Sequence, residues 1–140
     1  MPIAFPIESR DHILDVVLHN GVKVTEWYVA LFEGNYTPQD SDTAANIGGR
    51  ATEITSYAES TRPALTFNPP ANGEINNAGG LAQVTMTATK TIRALGIVSS
   101  AAKGSTSGKL LAFQKLAVPV TYNNGDIVKV PVTLSALNLA

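Results

Sequence analysis

The sequence contains no cysteine, which excludes disulfide bonds, zinc–thiolate sites and cysteine nucleophiles. This absence fits a chain that folds in a reducing cytoplasm. Long apolar runs are also missing, because no stretch approaches the ~18 consecutive apolar residues that a transmembrane helix requires. The first eight residues lack the basic and apolar regions of a signal peptide, so we expect neither a leader nor a membrane partner.

Charged side chains are scarce. They make up 15% of the 140 residues, against roughly 25% in an average soluble protein. The net charge of −1 leaves no basic excess, so binding to nucleic acid by neutralising phosphates is excluded. The surface polarity comes instead from threonine, serine and asparagine. A lightly charged surface of this kind is typical of a β-protein that packs on neighbours, and it is a first indication of an assembly component.

Residues that carry chemistry are few. The only histidines, His12 and His19, lie seven residues apart on a predicted helix, which separates them by ~10 Å of axial rise. The sequence has no Gly-x-Ser-x-Gly elbow, and the glycine-bounded segment 104–109 is too short between its glycines for a phosphate loop. We therefore expect no catalytic, metal or cofactor site and no enzyme activity.

Two acidic residues in the long loop have the spacing of calcium ligands. Asp40 and Asp42 alternate around a serine, as carboxylates do in calcium-binding loops. The further ligands that such a loop needs do not follow in the sequence. We interpret both side chains as solvated loop carboxylates.

The chain is predicted to form a single domain over residues 1–140 that starts with an arm and a helix. Pro2 and Pro6 predict an extended arm over residues 1–8, because each proline disfavours helix in its predecessor. Ser9 is the expected N-cap of a helix over residues 9–20, and Gly21 is expected to supply the left-handed residue after it. An apolar stripe runs along this helix at Ile13, Leu14, Val17 and Leu18.

From residue 25 to 135 the pattern predicts about eight short strands. Trp27–Phe32 is apolar at every position, so we expect a strand covered on both faces, by the helix, an opposite sheet or a partner. Residues 84–89 alternate between apolar and threonine, which indicates a half-buried strand. Pro131 lies inside the last predicted strand, residues 127–134, and demotes it to an edge or a local break. The predicted fold is an all-β, jelly-roll-type β-sandwich with one short N-terminal helix.

The order of these motifs resembles a known family. The resemblance rests on five segments. They are the helix that ends in His19-Asn20-Gly21, the strand of residues 27–34, the segment 61–64, the alternating strand 84–89 and the turn of residues 125–127. Together they resemble the jelly-roll capsid cement (decoration) proteins of tailed bacteriophages, of the sort found on Bordetella phage heads. The resemblance implies a structural protein on the outer capsid surface of the virion, folded in the host cytoplasm. It implies the major capsid protein as a partner and stabilisation of the head as the function.

We expect the partner contacts to come from the arm and the long loop, through Ile3, Phe5, Ile7, Tyr36 and Pro38, and we expect a homodimer. Two alternatives remain open at this stage. One is a phage tail accessory protein. The other is a carbohydrate-binding jelly-roll module with Tyr36, Tyr57 and Tyr122 as candidate sugar platforms.

Overall fold

The fold is a β-sandwich with a short helix at its start, and a computed structural model describes residues 5–135 of it. In that range the chain forms two helices and nine strands, which confirms the predicted all-β sandwich with an N-terminal helix. Their bounds, in chain order, are α1 Ile7–Leu18, β1 Trp27–Phe32, α2 Ile47–Ala51, β2 Glu53–Ile54, β3 Ala64–Leu65, β4 Glu74–Asn76, β5 Ala82–Thr85, β6 Lys90–Val98, β7 Leu110–Tyr122, β8 Ile127–Val130 and β9 Thr133–Ser135.

Strand β1 lies at the centre of the largest sheet. One of its edges pairs with β6 over five residues, from Tyr28↔Val98 to Phe32↔Ala94. Its other edge pairs with β2 and β3, for two residues each, and β7 extends the sheet beyond β6. All these pairs are antiparallel. The four residues 29–32 of β1 are almost completely buried, which confirms that this strand is covered on both faces.

The first face of the large sheet is covered by the strands that follow it in the chain. Val29 and Leu31 of β1 belong to the main core cluster, together with Val84 of β5 and Val128 and Val130 of β8. Three antiparallel pairs, β6 with β7, β5 with β8 and β4 with β9, are nested in chain order. Nested pairing of this kind brings a second layer over the sheet, as it does in a jelly roll.

The second face is covered by the loop before β2 and by α2, not by the N-terminal helix. Phe32 of β1 packs here on Phe113 of β7, with ring centroids 5.2 Å apart, and Ile47 and Ala51 of α2 complete the cluster. The sequence does not predict α2, because Gly48-Gly49 has low helix propensity and is typical of a loop. Burial of the residues that flank the two glycines overrides their low helix propensity.

A close approach in this second cluster requires glycine. A β-carbon at Gly96 of β6 would lie 2.9 Å from Cε2 of Phe32. The phenyl ring therefore occupies the space that any other side chain at position 96 would need.

The beginning of α1 differs from the prediction. The helix starts at Ile7, so the expected arm over residues 1–8 ends at Pro6, and residues 1–4 lie outside the described range. Pro6 takes the N-cap position in an extended conformation, and its carbonyl accepts the N–H groups of Ser9 and Arg10. Ser9 is therefore a buried residue of the first turn and not the N-cap.

The end of α1 also differs in detail. The carbonyl of Asp15 accepts the N–H groups of His19 and Gly21, which ends the helix at Leu18. The left-handed residue is Asn20, with φ of 66°, and not Gly21. Asparagine tolerates this conformation better than most residues do.

The later strands follow the pattern with local changes. The half-buried strand predicted over residues 84–89 is β5, which covers residues 82–85 only, with Met86 in an isolated bridge to Tyr57. Pro131 divides the last predicted strand into β8 and β9, so the local break is confirmed. β7 contains Pro119 at a bulge, since Val120 pairs with Ile92 while Lys115 pairs with Ala94. Proline is tolerated there because β7 is an edge strand.

A buried ion pair joins β2 to the turn between β6 and β7. Nη2 of Arg62 lies 2.6 Å from Oε1 of Glu53, and Nε donates to Oε2 at 2.9 Å. The remaining guanidinium donors bind the carbonyls of Ser100 and Ser105. Because both side chains are buried and every charged atom has a partner, the pair fixes this turn against the sheet.

The hydroxyl of Tyr57 is buried without a hydrogen-bond partner among the described residues. Burial, reinforced by the nearby carboxylate of Glu53, raises the pKa of Tyr57 to about 12. Unfolded tyrosine ionises near pH 10, so the unfolded state loses its proton first as the pH rises. The contribution of Tyr57 to stability is therefore fully present below pH ~10 and is lost between pH ~10 and ~12.

We predict that Tyr57→Phe leaves the free energy of unfolding at pH 7 unchanged or raises it, because the substitution removes an unpaired hydroxyl. The variant should also lose less stability than the wild type between pH 10 and 12. Denaturant unfolding at neutral and alkaline pH measures both effects. Loss of more than about 1 kcal/mol at pH 7 would show that the hydroxyl has a stabilising partner.

Candidate interaction surface

An apolar surface is exposed on the second half of α1 and at Val22, four residues after the helix ends. Leu14, Val17, Leu18 and Val22 are between 53% and 90% exposed, and Ser9 is the only buried residue of the helix. We call these four residues the α1 surface. Apolar groups collected on one exposed surface are typical of a protein-interaction site, whereas single exposed apolar residues are not informative.

Polar contacts, together with the buried Ser9 and the half-buried Ile13 and Val16, hold α1 on the sandwich. Oε1 of Glu8 accepts the N–H of Leu110 at 3.1 Å, at the start of β7. Arg10 forms an ion pair of 3.1 Å with Asp40. The ring of His12 packs edge-on against Trp27, with centroids 6.1 Å apart. These contacts come from the first half of the helix, so the second half is free to present its apolar side chains.

A groove of about 680 Å³ separates α1 from the loop that covers the second face. Its walls carry four carboxylates, those of Glu8, Asp11, Asp15 and Asp40, and a single lysine, Lys109. The helix therefore presents an acidic side next to its apolar one. Among residues 5–135, no three histidine, aspartate or glutamate side chains are grouped as metal ligands.

Four of the five residues predicted as partner contacts lie in the described range, and they differ in exposure. Ile3 lies outside the described residues, and Phe5 is half-buried against the main core. Ile7 is exposed at the start of α1, and its N–H donates to the carbonyl of Asp40, which brings it beside the loop of Tyr36 and Pro38. Tyr36 is half-buried, with its ring edge-on to Phe113 at 6.0 Å.

The tyrosines proposed as sugar platforms are not exposed. Tyr57 is buried in the main core, and Tyr36 packs on Phe113. Tyr122 is half-buried at the end of β7 and packs against the main core. The described structure therefore offers no exposed aromatic ring from these three residues for stacking on a sugar.

Asp42 organises the loop that contains Tyr36 and Pro38. Its carboxylate accepts the Tyr36 hydroxyl at 2.5 Å, the backbone N–H of Gln39 at 2.8 Å and Nη1 of Arg50 at 2.8 Å. Burial, with the hydrogen bond to Asp42, raises the pKa of Tyr36. Hydrogen bonding to the same carboxylate raises the pKa of Arg50. Asp42 is thus a structural group and not the solvated loop carboxylate that the sequence suggested.

In the sequence, the residues of α1 that belong to this surface form an apolar stripe, which is also the pattern of a helix that packs on its own core. Leu14, Val17 and Leu18 have the spacing of a helix that faces a core. What the spacing does not reveal is that another segment already covers the sheet face where such a helix would pack.

We predict that Asp42→Asn lowers the free energy of unfolding by about 2 kcal/mol, because it weakens hydrogen bonds to a buried charged group. Asp40→Asn, two residues away, is the matched control. The side chain of Asp42 is 1% exposed, whereas that of Asp40 is 74% exposed and forms only the surface ion pair with Arg10. The control should therefore change stability by less than about 1 kcal/mol in the same thermal or denaturant unfolding measurement. Equal effects of the two substitutions would contradict the organising role of Asp42.

Comparison with known proteins assigns the chain to a phage family. A search of the curated proteins returns no match. Neither helix in residues 5–135 is long and apolar enough to cross a membrane. The family model described as podophage GP4 fiber I protein gp80 matches residues 8–138, which include α1 except its first residue and all nine described strands. The expectation of a phage structural protein is confirmed at this level: the chain belongs to the podophage GP4 fiber I protein gp80 family.

Proposed function

We propose that this protein is a non-enzymatic structural subunit of a fibre on the phage virion and that it binds a neighbouring protein through the α1 surface. The observation that carries the proposal is the exposure of Leu14, Val17, Leu18 and Val22 on one side of a helix whose described polar contacts to the sandwich come from its first half. Burial of such side chains in a contact contributes roughly 1.5–3 kcal/mol each before the costs of association. The family name supports the fibre as the location.

The polar clusters support a structural role and not a catalytic one. Asp42, Arg62 and Glu53 each bind groups within the fold, and their partners are loops and turns. The two histidines act separately, because His12 packs on Trp27 while His19 binds Asp15 at 2.9 Å. No described group of a nucleophile, a base and an orienting partner emerges from these contacts.

A second candidate is the capsid decoration protein that the sequence resembles. The observation in its favour is the compact single sandwich, with one apolar helix that would fit the outside of a shell lattice. The two candidates predict different positions on the particle. Immunogold labelling of purified virions with antibody against this protein separates them, because labels would gather at fibres in one case and cover the head in the other.

We predict that Leu18→Asp folds normally but is incorporated into virions at a level reduced more than about tenfold, as expected for the centre of an interface. Leu18 is 77% exposed, so the substitution removes little packing within the described structure. Thr106→Asp places the same charge in an exposed turn between β6 and β7 and serves as the control.

The measurement uses phage that lacks its own copy of the protein and receives the variant from a plasmid. Quantitative mass spectrometry then counts copies per purified particle, and unfolding curves confirm that both variants are stable. Wild-type incorporation of Leu18→Asp would refute the α1 surface as the contact. An equal loss of incorporation in Thr106→Asp would show that the effect is not specific to the α1 surface.

A further inference from the structure

The open side of the sandwich carries a second apolar surface. β7 is the last strand of the large sheet, and no described strand pairs with its outer edge. β8 and β9 belong to the opposite layer, and Pro131 interrupts the chain between them. Between β7 and this segment run two adjoining cavities of about 390 and about 70 Å³, which share Leu95, Val130 and Pro131. We call them together the β7 groove.

The walls of the β7 groove are mainly apolar. They include Ala112, Leu116 and Val120 from β7 and Val130 and Val132 from the opposite layer. Val120 and its neighbour Val118 remain exposed at the rim. An amphipathic helix can bind by laying its apolar face into an apolar groove.

The α1 surface and the far end of the β7 groove lie at opposite ends of the large sheet. Glu8 of α1 contacts Leu110 and His12 contacts Trp27, so α1 lies across the end where β7 and β1 begin. Val120 of β7 pairs with Ile92 of β6, six residues along β6 from Val98, the partner of Leu110, which corresponds to about 20 Å at ~3.3 Å per residue. A copy therefore presents its α1 surface at one end and this part of its groove at the other.

The two surfaces also carry opposite charge. Beside the α1 surface lie Asp11 and Asp15, on the same helix. Lys129 of β8 lines the groove and forms no ion pair within residues 5–135. Opposite charges at the rims favour contact between unlike ends and disfavour contact between like ends.

We infer that the α1 surface of one copy binds in the β7 groove of a second copy, head to tail. The inference rests on the proposed function and names the partner of its surface. Because the two surfaces differ, the contact is heterologous, and each bound copy presents a free surface for the next. A series of such contacts builds a linear array, which is the geometry that a fibre requires.

Two blocked variants test this contact. Leu18→Asp damages the α1 surface and leaves the groove intact, whereas Val120→Asp damages the groove and leaves the α1 surface intact. In sedimentation velocity, the wild type should form oligomers larger than dimers as its concentration rises, and each variant alone should remain a monomer. An equimolar mixture of the two variants has one intact pair of surfaces and should form dimers that grow no further. A symmetric contact between two α1 surfaces would instead let Val120→Asp dimerise on its own, because that variant keeps its α1 surface.

A second pair of substitutions tests the same contact independently, in case Val120→Asp misfolds at the edge strand. Lys129→Glu is exposed and should weaken self-association about three- to tenfold, and Asp15→Lys should do the same. The protein that carries both substitutions should recover association, because the charges across the contact are again opposite. Lys23→Glu, next to Val22, is the charge control: it adds negative charge beside the α1 surface and should not weaken self-association.

The outcomes separate this inference from the proposed function. If the mixture of blocked variants stays monomeric and the wild type does not self-associate, the head-to-tail contact is wrong. If Leu18→Asp is nevertheless lost from virions, the α1 surface binds a different virion protein and the proposed function stands. If Leu18→Asp is incorporated normally while the mixture dimerises, the contact is real but is not the one that places the protein in the particle.

Discussion

Burial of β1 on both faces is the constraint on which the rest of the structure depends. Val29 and Leu31 point into the main core, and Ala30 and Phe32 point into the second cluster. A strand with apolar side chains on both sides needs two covers, because water on either side would face apolar groups. The later strands provide one cover by their nested pairing. The segment of residues 36–51 provides the other.

The second cover explains why a buried carboxylate stands in a loop. A long segment without strands must hold its own polar groups in place if it is to pack on Phe32 and Phe113. Asp42 does this by binding Tyr36, Gln39 and Arg50 at once. Because the loop occupies most of this sheet face, α1 contacts the sheet only at its end, near Leu110 and Trp27, and Leu14, Val17 and Leu18 remain exposed. The candidate interaction surface thus follows from how the core is closed.

The sequence predicted the parts of the fold that depend on short-range pattern. The unbroken apolar run of residues 27–32 indicated a doubly covered strand, and Pro131 indicated the break between β8 and β9.

The sequence-based prediction was wrong where contacts between distant segments determine the local structure. Gly48-Gly49 reads as a loop until the burial of Ile47 and Ala51 is known. Ser9 has the residue type of an N-cap but lies in the first turn. Asp42 differs from Asp40 only through partners that lie three to eight residues away. The exposed face of α1 was missed for the same reason, since helical spacing does not say which element reaches the sheet first.

The most direct measurement of the central claim is a cryo-EM reconstruction of the intact phage particle in which this protein is traced to its side chains. We predict that Leu14, Val17 and Leu18 are buried against a neighbouring protein chain. This chain should be the next copy, with its β7 groove around them. A reconstruction in which α1 faces solvent along its whole length, with the protein attached through another surface, would contradict the account.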